Sequence, residues 1–159
     1  KNRAVIEAVA SALDALFTER CTELSAVKEE ISAALEHKVP KARLECLLWL
    51  HRCLKARPSA ALDSQKDLCP LFVKRCEDSA GDVRETTLKC LAELVCILGE
   101  KRMQSYIEKL DKIRTDKIAA YVCKRREEKK QDSQPVKDVP AANSLPASAG
   151  KPVKTQAVK

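Results

Sequence analysis

Apolar side chains along this chain recur three or four residues apart, the spacing of one face of a helix rather than the alternation of a strand. Six helices follow from that pattern. The first covers about 2–17, with Val5, Ile6, Val9, Leu13, Leu16 and Phe17 on one face. The second covers about 25–37, with Ser25 as its expected N-cap, and the third about 41–55, with Pro40 marking its start. The fourth is expected at about 66–77. The fifth, at about 82–98, ends at Gly99, a residue suited to a helix C-terminus. The sixth runs over about 101–123, with an interruption near Thr115-Asp116.

Comparing the chain with itself adds more than any single helix. VPKARLECLLWL at 39–50 aligns with AGDVRETTLKCL at 80–91, bringing Arg43 onto Arg84, Leu47 onto Leu88 and Leu50 onto Leu91. NRAVIEAVASAL at 2–13 follows the same frame more loosely, with Leu13 on Leu50 and the smaller Ala10 on Leu47. A period near 40 residues with two helices per unit is the mark of HEAT and armadillo repeats. The expected fold is therefore all-α, a superhelix of helical hairpins in three repeats, about 1–37, 38–77 and 78–123. In such a hairpin Pro fixes the opening turn, the small aliphatic packs beneath the preceding repeat, and the Arg reaches that repeat's carboxylates. No unit buries its apolar face alone, so the repeats stack into one continuous core. The first helix opens without a capping segment, which leaves an apolar face uncovered.

Composition divides the chain unevenly. Residues 124–159 hold four of the seven prolines, and their sizeable aliphatics are only Val136, Val139, Leu145, Val153 and Val158. Too little apolar area is present to offset the entropy of ordering such a segment, so it is expected as a disordered basic linker or tail. Nine Lys/Arg against four Asp/Glu give this segment +5, while 21 against 19 leave residues 1–123 at +2. Basic disordered segments suit acidic polymers: nucleic acid, an anionic membrane or the acidic tails of tubulin. The KRREEKK run at 124–130 has a second reading, as a charged continuation of the last helix.

Candidate chemistry narrows the functional classes. Six of the eight cysteines, Cys46, Cys53, Cys69, Cys76, Cys90 and Cys96, sit within apolar helical patterns, where a free thiol acts as a small hydrophobe. Cys21 and Cys123 fall near loops or helix ends and are expected to be exposed. A disulfide framework is disfavoured, which fits a reducing compartment. The Cys46/Cys53 and Cys69/Cys76 pairs are each two helical turns apart, about 10.5 Å, too far for one zinc ion to be held by both thiolates. His51 lies on the apolar third helix and reads as structural; His37 is the second histidine. No phosphate-binding glycine loop, zinc-protease or serine-hydrolase motif occurs. No apolar run reaches the roughly 20 residues of a membrane span. The expectation is a protein without catalytic residues, metal or cofactor. Nucleic-acid binding fits the pI of about 9.0, but Glu127 and Glu128 interrupt the basic run and no aromatic platform accompanies it.

Several of these stretches together resemble the TOG domains of the microtubule polymerase family. HKVPKARLECLLWL at 37–50 is similar to the first helix of that family's fifth repeat, and KDLCPLF at 66–72 to the start of the partner helix. EDSAGDVRETTLKCLAELVCILGEK at 77–101 resembles the last repeat, and YIEKLDKIRTDKI at 106–118 the closing helix. Arg3 stands where the family usually has a proline. The resemblance implies the fourth, fifth and sixth of six HEAT repeats, hence a partial TOG domain. It also implies αβ-tubulin or the microtubule as partner, with the protein in the cytoplasm on microtubules, the spindle or the microtubule-organising centre. The family binds tubulin through the turns within repeats, which here are expected at 18–24, 56–66 and 99–102. The candidate contacts are Lys66 foremost, in the fifth loop, then Arg20, Arg57, Lys101 and Arg102. A HEAT scaffold for another protein, and a nucleic-acid-associated helical protein, remain as alternatives.

Overall fold

The computed structural model describes residues 3–132. Seven helices follow one another: α1 (Arg3–Thr18), α2 (Lys28–Glu36), α3 (Pro40–Ala56), α4 (Ala60–Arg75), α5 (Gly81–Leu98), α6 (Glu100–Ile107) and α7 (Lys112–Asp132). No strand occurs among the described residues. The helices form two layers. In one, α1, α3, α5 and α7 lie side by side; in the other, α2, α4 and α6 do so, and each of α2 and α4 also packs onto the first helix of the following repeat. Leu47, Leu50, Leu54, Leu68, Phe72, Leu91, Leu94 and Met103 fill the space between layers as one continuous core.

Local chemistry explains most of the helix ends. Pro40 is the first residue of α3 and cannot donate a backbone hydrogen bond, which costs nothing there. It holds Val39 extended, at φ −86° and ψ 118°. Gly81 takes the equivalent place in α5, as the alignment of repeats requires. Gly99, at φ +87°, forms the whole connection between α5 and α6. Its N–H returns to the Val95 carbonyl at 3.0 Å, and a side chain is disfavoured there by backbone conformation alone, since the space around it is open. After α1 the chain closes a Schellman turn: Cys21 N–H donates to Leu16 O at 2.9 Å and Arg20 N–H to Phe17 O at 3.2 Å. Arg20 occupies the left-handed position of that turn, at φ 59°.

Several boundaries differ from expectation. α2 begins at Lys28, and its N-cap is Val27, not Ser25. α4 begins at Ala60, six residues early, because Pro58-Ser59 followed by two alanines starts it. Pro70 then lies inside α4 on its exposed side, where it lacks an N–H for the Lys66 carbonyl four residues back. The expected sixth helix is two helices, α6 and α7, broken at 108–111 rather than at Thr115-Asp116. Asp111 caps α7: its Oδ1 accepts from the Arg114 N–H at 2.8 Å, and its carbonyl accepts from both Thr115 N–H and Thr115 Oγ1. Thr115 therefore stays within α7. The boundary drawn at residue 124 falls inside α7 as well. The buried ion pair of Arg125 with Glu93, 2.8 Å, ties residues just past that boundary to α5. The remainder of the expected tail, 133–159, lies outside the described residues.

The repeats are joined by arginines at equivalent places. Arg43 Nη1 donates to the His37 carbonyl at 2.7 Å, and Arg84 Nη1 to the Asp78 carbonyl at 2.6 Å, each six residues back along the chain. Arg43 also grips the Asp78 carboxylate through Nε and Nη2, both at 2.7 Å. The carboxylate it finds lies in the turn after its own repeat, not in the preceding repeat. Burial acts to raise the pKa of Asp78. The hydrogen bonds from Arg43 and the Ala80 N–H, with the charges of Arg43 and Arg75, outweigh burial and leave it below the ordinary carboxylate value.

α1 packs on α3 and leaves an apolar groove of about 620 Å³ beside it, walled by Val5, Val9, Leu13 and Leu16 of α1 and by Ile31 of α2, with Trp49 of α3 in its floor. The α1 residues are exposed, Val5 by 56%. The uncovered apolar face expected at the first helix is thus present.

Candidate functional site

Connections within hairpins define one edge of the stack: 19–27 between α1 and α2, 57–59 between α3 and α4, and Gly99 between α5 and α6. Each of the five candidate residues is at or near this edge, but in different settings. Arg20 projects from the Schellman turn and is exposed. Lys101 and Arg102 lie in the first turn of α6, both exposed. Lys66 is exposed but sits in the second turn of α4, not in a loop, because α4 starts early. Gln65, its neighbour, donates from Nε2 to the Arg102 carbonyl at 3.4 Å. That contact joins the second turn of α4, which carries Lys66, to the first turn of α6, which carries Lys101 and Arg102.

Arg57 is turned inward. Its Nη1 donates to the Phe17 carbonyl at 2.8 Å, its Nη2 pairs with Glu23, and its guanidinium lies 4.5 Å from the centre of the Phe17 ring. Phe17 in turn meets Trp49 edge-on, with ring centres 6.4 Å apart. Arg57 thus clasps the loop from 19 to 27 onto α3, with Leu24 buried beneath it. Its contribution to the edge is to hold that loop and Arg20 in place. Sequence reasoning named the residue but had no signal for the direction of its side chain.

Burial pushes the thiols of Cys46, Cys53, Cys69 and Cys76 up to about 12 and shifts Cys90 in the same direction, so these groups stay protonated at neutral pH. Cys21 and Cys123 are exposed. His51 is half-buried, and desolvation, aided by the charge of Lys55, lowers its pKa. Among the described residues, no three His, Cys, Asp or Glu are grouped to hold a metal ion, and no helix is long and apolar enough to cross a membrane.

A stack of helical hairpins whose within-hairpin turns line one edge, with Arg20, Lys101 and Arg102 exposed there, defines a class of protein: an α-solenoid. Comparisons with known proteins narrow the class. No family model matches the chain. It is 28% identical over 123 residues to Protein MOR1 of Arabidopsis thaliana, covering 77% of this chain and 6% of that protein. It is also 28% identical over 156 residues to Protein mini spindles of Drosophila melanogaster, covering 96% of this chain and 7% of that protein. The chain thus spans a small part of these relatives' length. Among solved structures it matches a chain from a complex described as microtubule polymerases with tumor overexpressed gene (TOG) domain arrays recruiting tubulin. The TM-score is 0.67 at 29% identity, over 78% of this chain and 26% of that one. In sequence and in fold the chain is similar to the TOG domains of microtubule polymerases.

Proposed function

We propose that this chain is a non-catalytic tubulin-binding segment of a microtubule polymerase, acting on microtubules and the spindle through the edge formed by its within-hairpin turns. In this reading the hairpins α1–α2, α3–α4 and α5–α6 are the fourth, fifth and sixth HEAT repeats of a TOG domain, with α7 closing the stack. The observation that carries it is the convergence of Lys66, Lys101 and Arg102 on one edge, joined through the Gln65–Arg102 contact, in a chain whose matched structure is described as recruiting tubulin. Cations on a rigid ridge serve two ends with an acidic partner. Long-range attraction speeds encounter and weakens with salt, and the few close contacts fix orientation and slow dissociation. Arg20 joins the same ridge one repeat away, held by the Arg57 clasp. The test is binding of unpolymerised αβ-tubulin by the chain and by Lys66→Glu. The reading expects weaker binding by the variant at unchanged helix content. Equal binding removes Lys66 from the contact.

A further inference from the structure

α7 carries something that neither the repeat pattern nor the proposed contact residues require. Its buried side chains end at Val122, and from Cys123 to Asp132 the sequence CKRREEKKQD offers no large apolar group to pack. The helix nevertheless continues to Asp132. Ion pairs tie this stretch to α5 and α6. Arg125 Nε meets Glu93 Oε2 of α5 at 2.8 Å, and Arg126 Nη2 meets Glu100 Oε1 of α6 at 3.0 Å.

The first pair is costly to break. The Glu93 side chain is 2% exposed and its other oxygen, Oε1, is buried with no partner among the described residues. Removing Arg125 strands a buried carboxylate, so the pair fixes α7 against α5. The hydrogen bond that Arg125 donates to Glu93 in turn raises the pKa of Arg125.

These contacts also fix where the end of α7 lies. Arg125 is level with Glu93, so α5, which ends at Leu98, and α7, which ends at Asp132, stop at nearly the same height. That height is the ridge of within-hairpin turns. Glu100, which Arg126 touches, precedes Lys101 and Arg102 directly. The cations therefore run from Lys66 of α4, through Lys101 and Arg102 of α6, to Lys124, Arg126 and Lys129 of α7.

We propose that the last turns of α7, carrying Lys124 and Lys129, form an additional contact element of this ridge, facing the folded acidic surface of tubulin. This rests on the tubulin-binding reading above. A helix end anchored by a buried ion pair presents its charges at fixed positions, which suits a folded partner; a flexible acidic tail needs no such anchoring.

The test measures affinity of the full chain for unpolymerised αβ-tubulin, with the acidic C-terminal tails intact and with them removed by proteolysis. Lys124→Glu/Lys129→Glu is compared with Lys38→Glu/Lys117→Glu. The latter makes the same change of charge on exposed residues of the opposite edge. The expected result is an affinity about tenfold lower for the first variant, much less change for the second, and the same ordering on tail-less tubulin. Circular dichroism should show both folded. Equal losses in the two variants reduce the effect to net charge, and a loss that vanishes on tail-less tubulin assigns the contact to the tails; either overturns the proposal. An unaltered affinity in Lys124→Glu/Lys129→Glu overturns it too while leaving the ridge itself intact. Absence of any binding by the unmodified chain rejects the underlying reading and this inference with it.

Discussion

Arg43 and Asp78, 35 residues apart, meet through two parallel hydrogen bonds of 2.7 Å in a pocket that leaves the Asp78 side chain 2% exposed. The pair joins the start of α3 to the turn before α5, and the Arg43–His37 contact carries the connection back to the turn before α3. A planar fork is needed for such a grip, and lysine does not supply it.

Arg43→Ala is expected to destabilise the fold strongly. Breaking one side of a buried ion pair costs about 3–5 kcal/mol. The lower end applies here, since Arg75 and the Ala80 N–H still reach Asp78, at 3.2 and 3.0 Å. Urea unfolding measures it, and a loss below 1 kcal/mol would show that the clasp is not structural.

Stability should fall on acidification in two stages. The folded-state pKa of His51 is lowered, first by desolvation and then by Lys55. The unfolded chain therefore takes up the proton first, and the stabilisation present above pH 6.5 is lost as pH falls through the folded value. Asp78 has the same sign at lower pH: stability present above its ordinary value of 3.8 is lost as pH falls further. Melting temperatures of the chain and of His51→Gln between pH 7.5 and 5 check the first stage. The variant should show the flatter profile.

Arg20→Gly separates stability from binding. A non-glycine residue at a left-handed position costs about 1–2 kcal/mol, partly offset by the greater freedom glycine has in the unfolded chain. The variant should be more stable by about 0.5 kcal/mol and should bind tubulin less well, through loss of a ridge charge. Lower stability in Arg20→Gly would count against strain at φ 59°.

The start of α7 depends on Asp111. Replacing it by alanine removes the cap on the Arg114 N–H and the ion pair with Arg114 Nη1. The expected loss is about 1 kcal/mol, read as a lowered unfolding midpoint with faster amide exchange in the first turn of α7.

Much of this architecture was legible in the residues. Arg43 and Arg84, aligned by the 41-residue offset, do take equivalent backbone partners, and Pro40 and Gly81 do open equivalent helices. A repeat imposes the same backbone demand at each turn, and sequence records such demands well. The helix ends were harder. The expected start of α4 at residue 66 fell too far along the chain, because the buried residues of its first turns, Ala60, Ala61 and Ser64, are too small to mark an apolar face. The break falls at 108–111 because Asp111, not Asp116, makes the capping contacts at the start of α7. Long side chains were hardest of all. Nothing in the sequence separates Arg57, turned inward over Phe17, from Arg102, left on the surface. The same limit placed Arg125 in a tail when it reaches back to a buried glutamate.

The most direct test of the tubulin-binding ridge is co-elution of the chain with αβ-tubulin on size exclusion at low salt, set beside Lys66→Glu/Lys101→Glu/Arg102→Glu. The account predicts that the unmodified chain shifts into the tubulin peak, that added salt reverses the shift, and that the triple variant elutes alone while retaining its helix content and unfolding midpoint. A triple variant that still travels with tubulin, or an unmodified folded chain that never does, would contradict it.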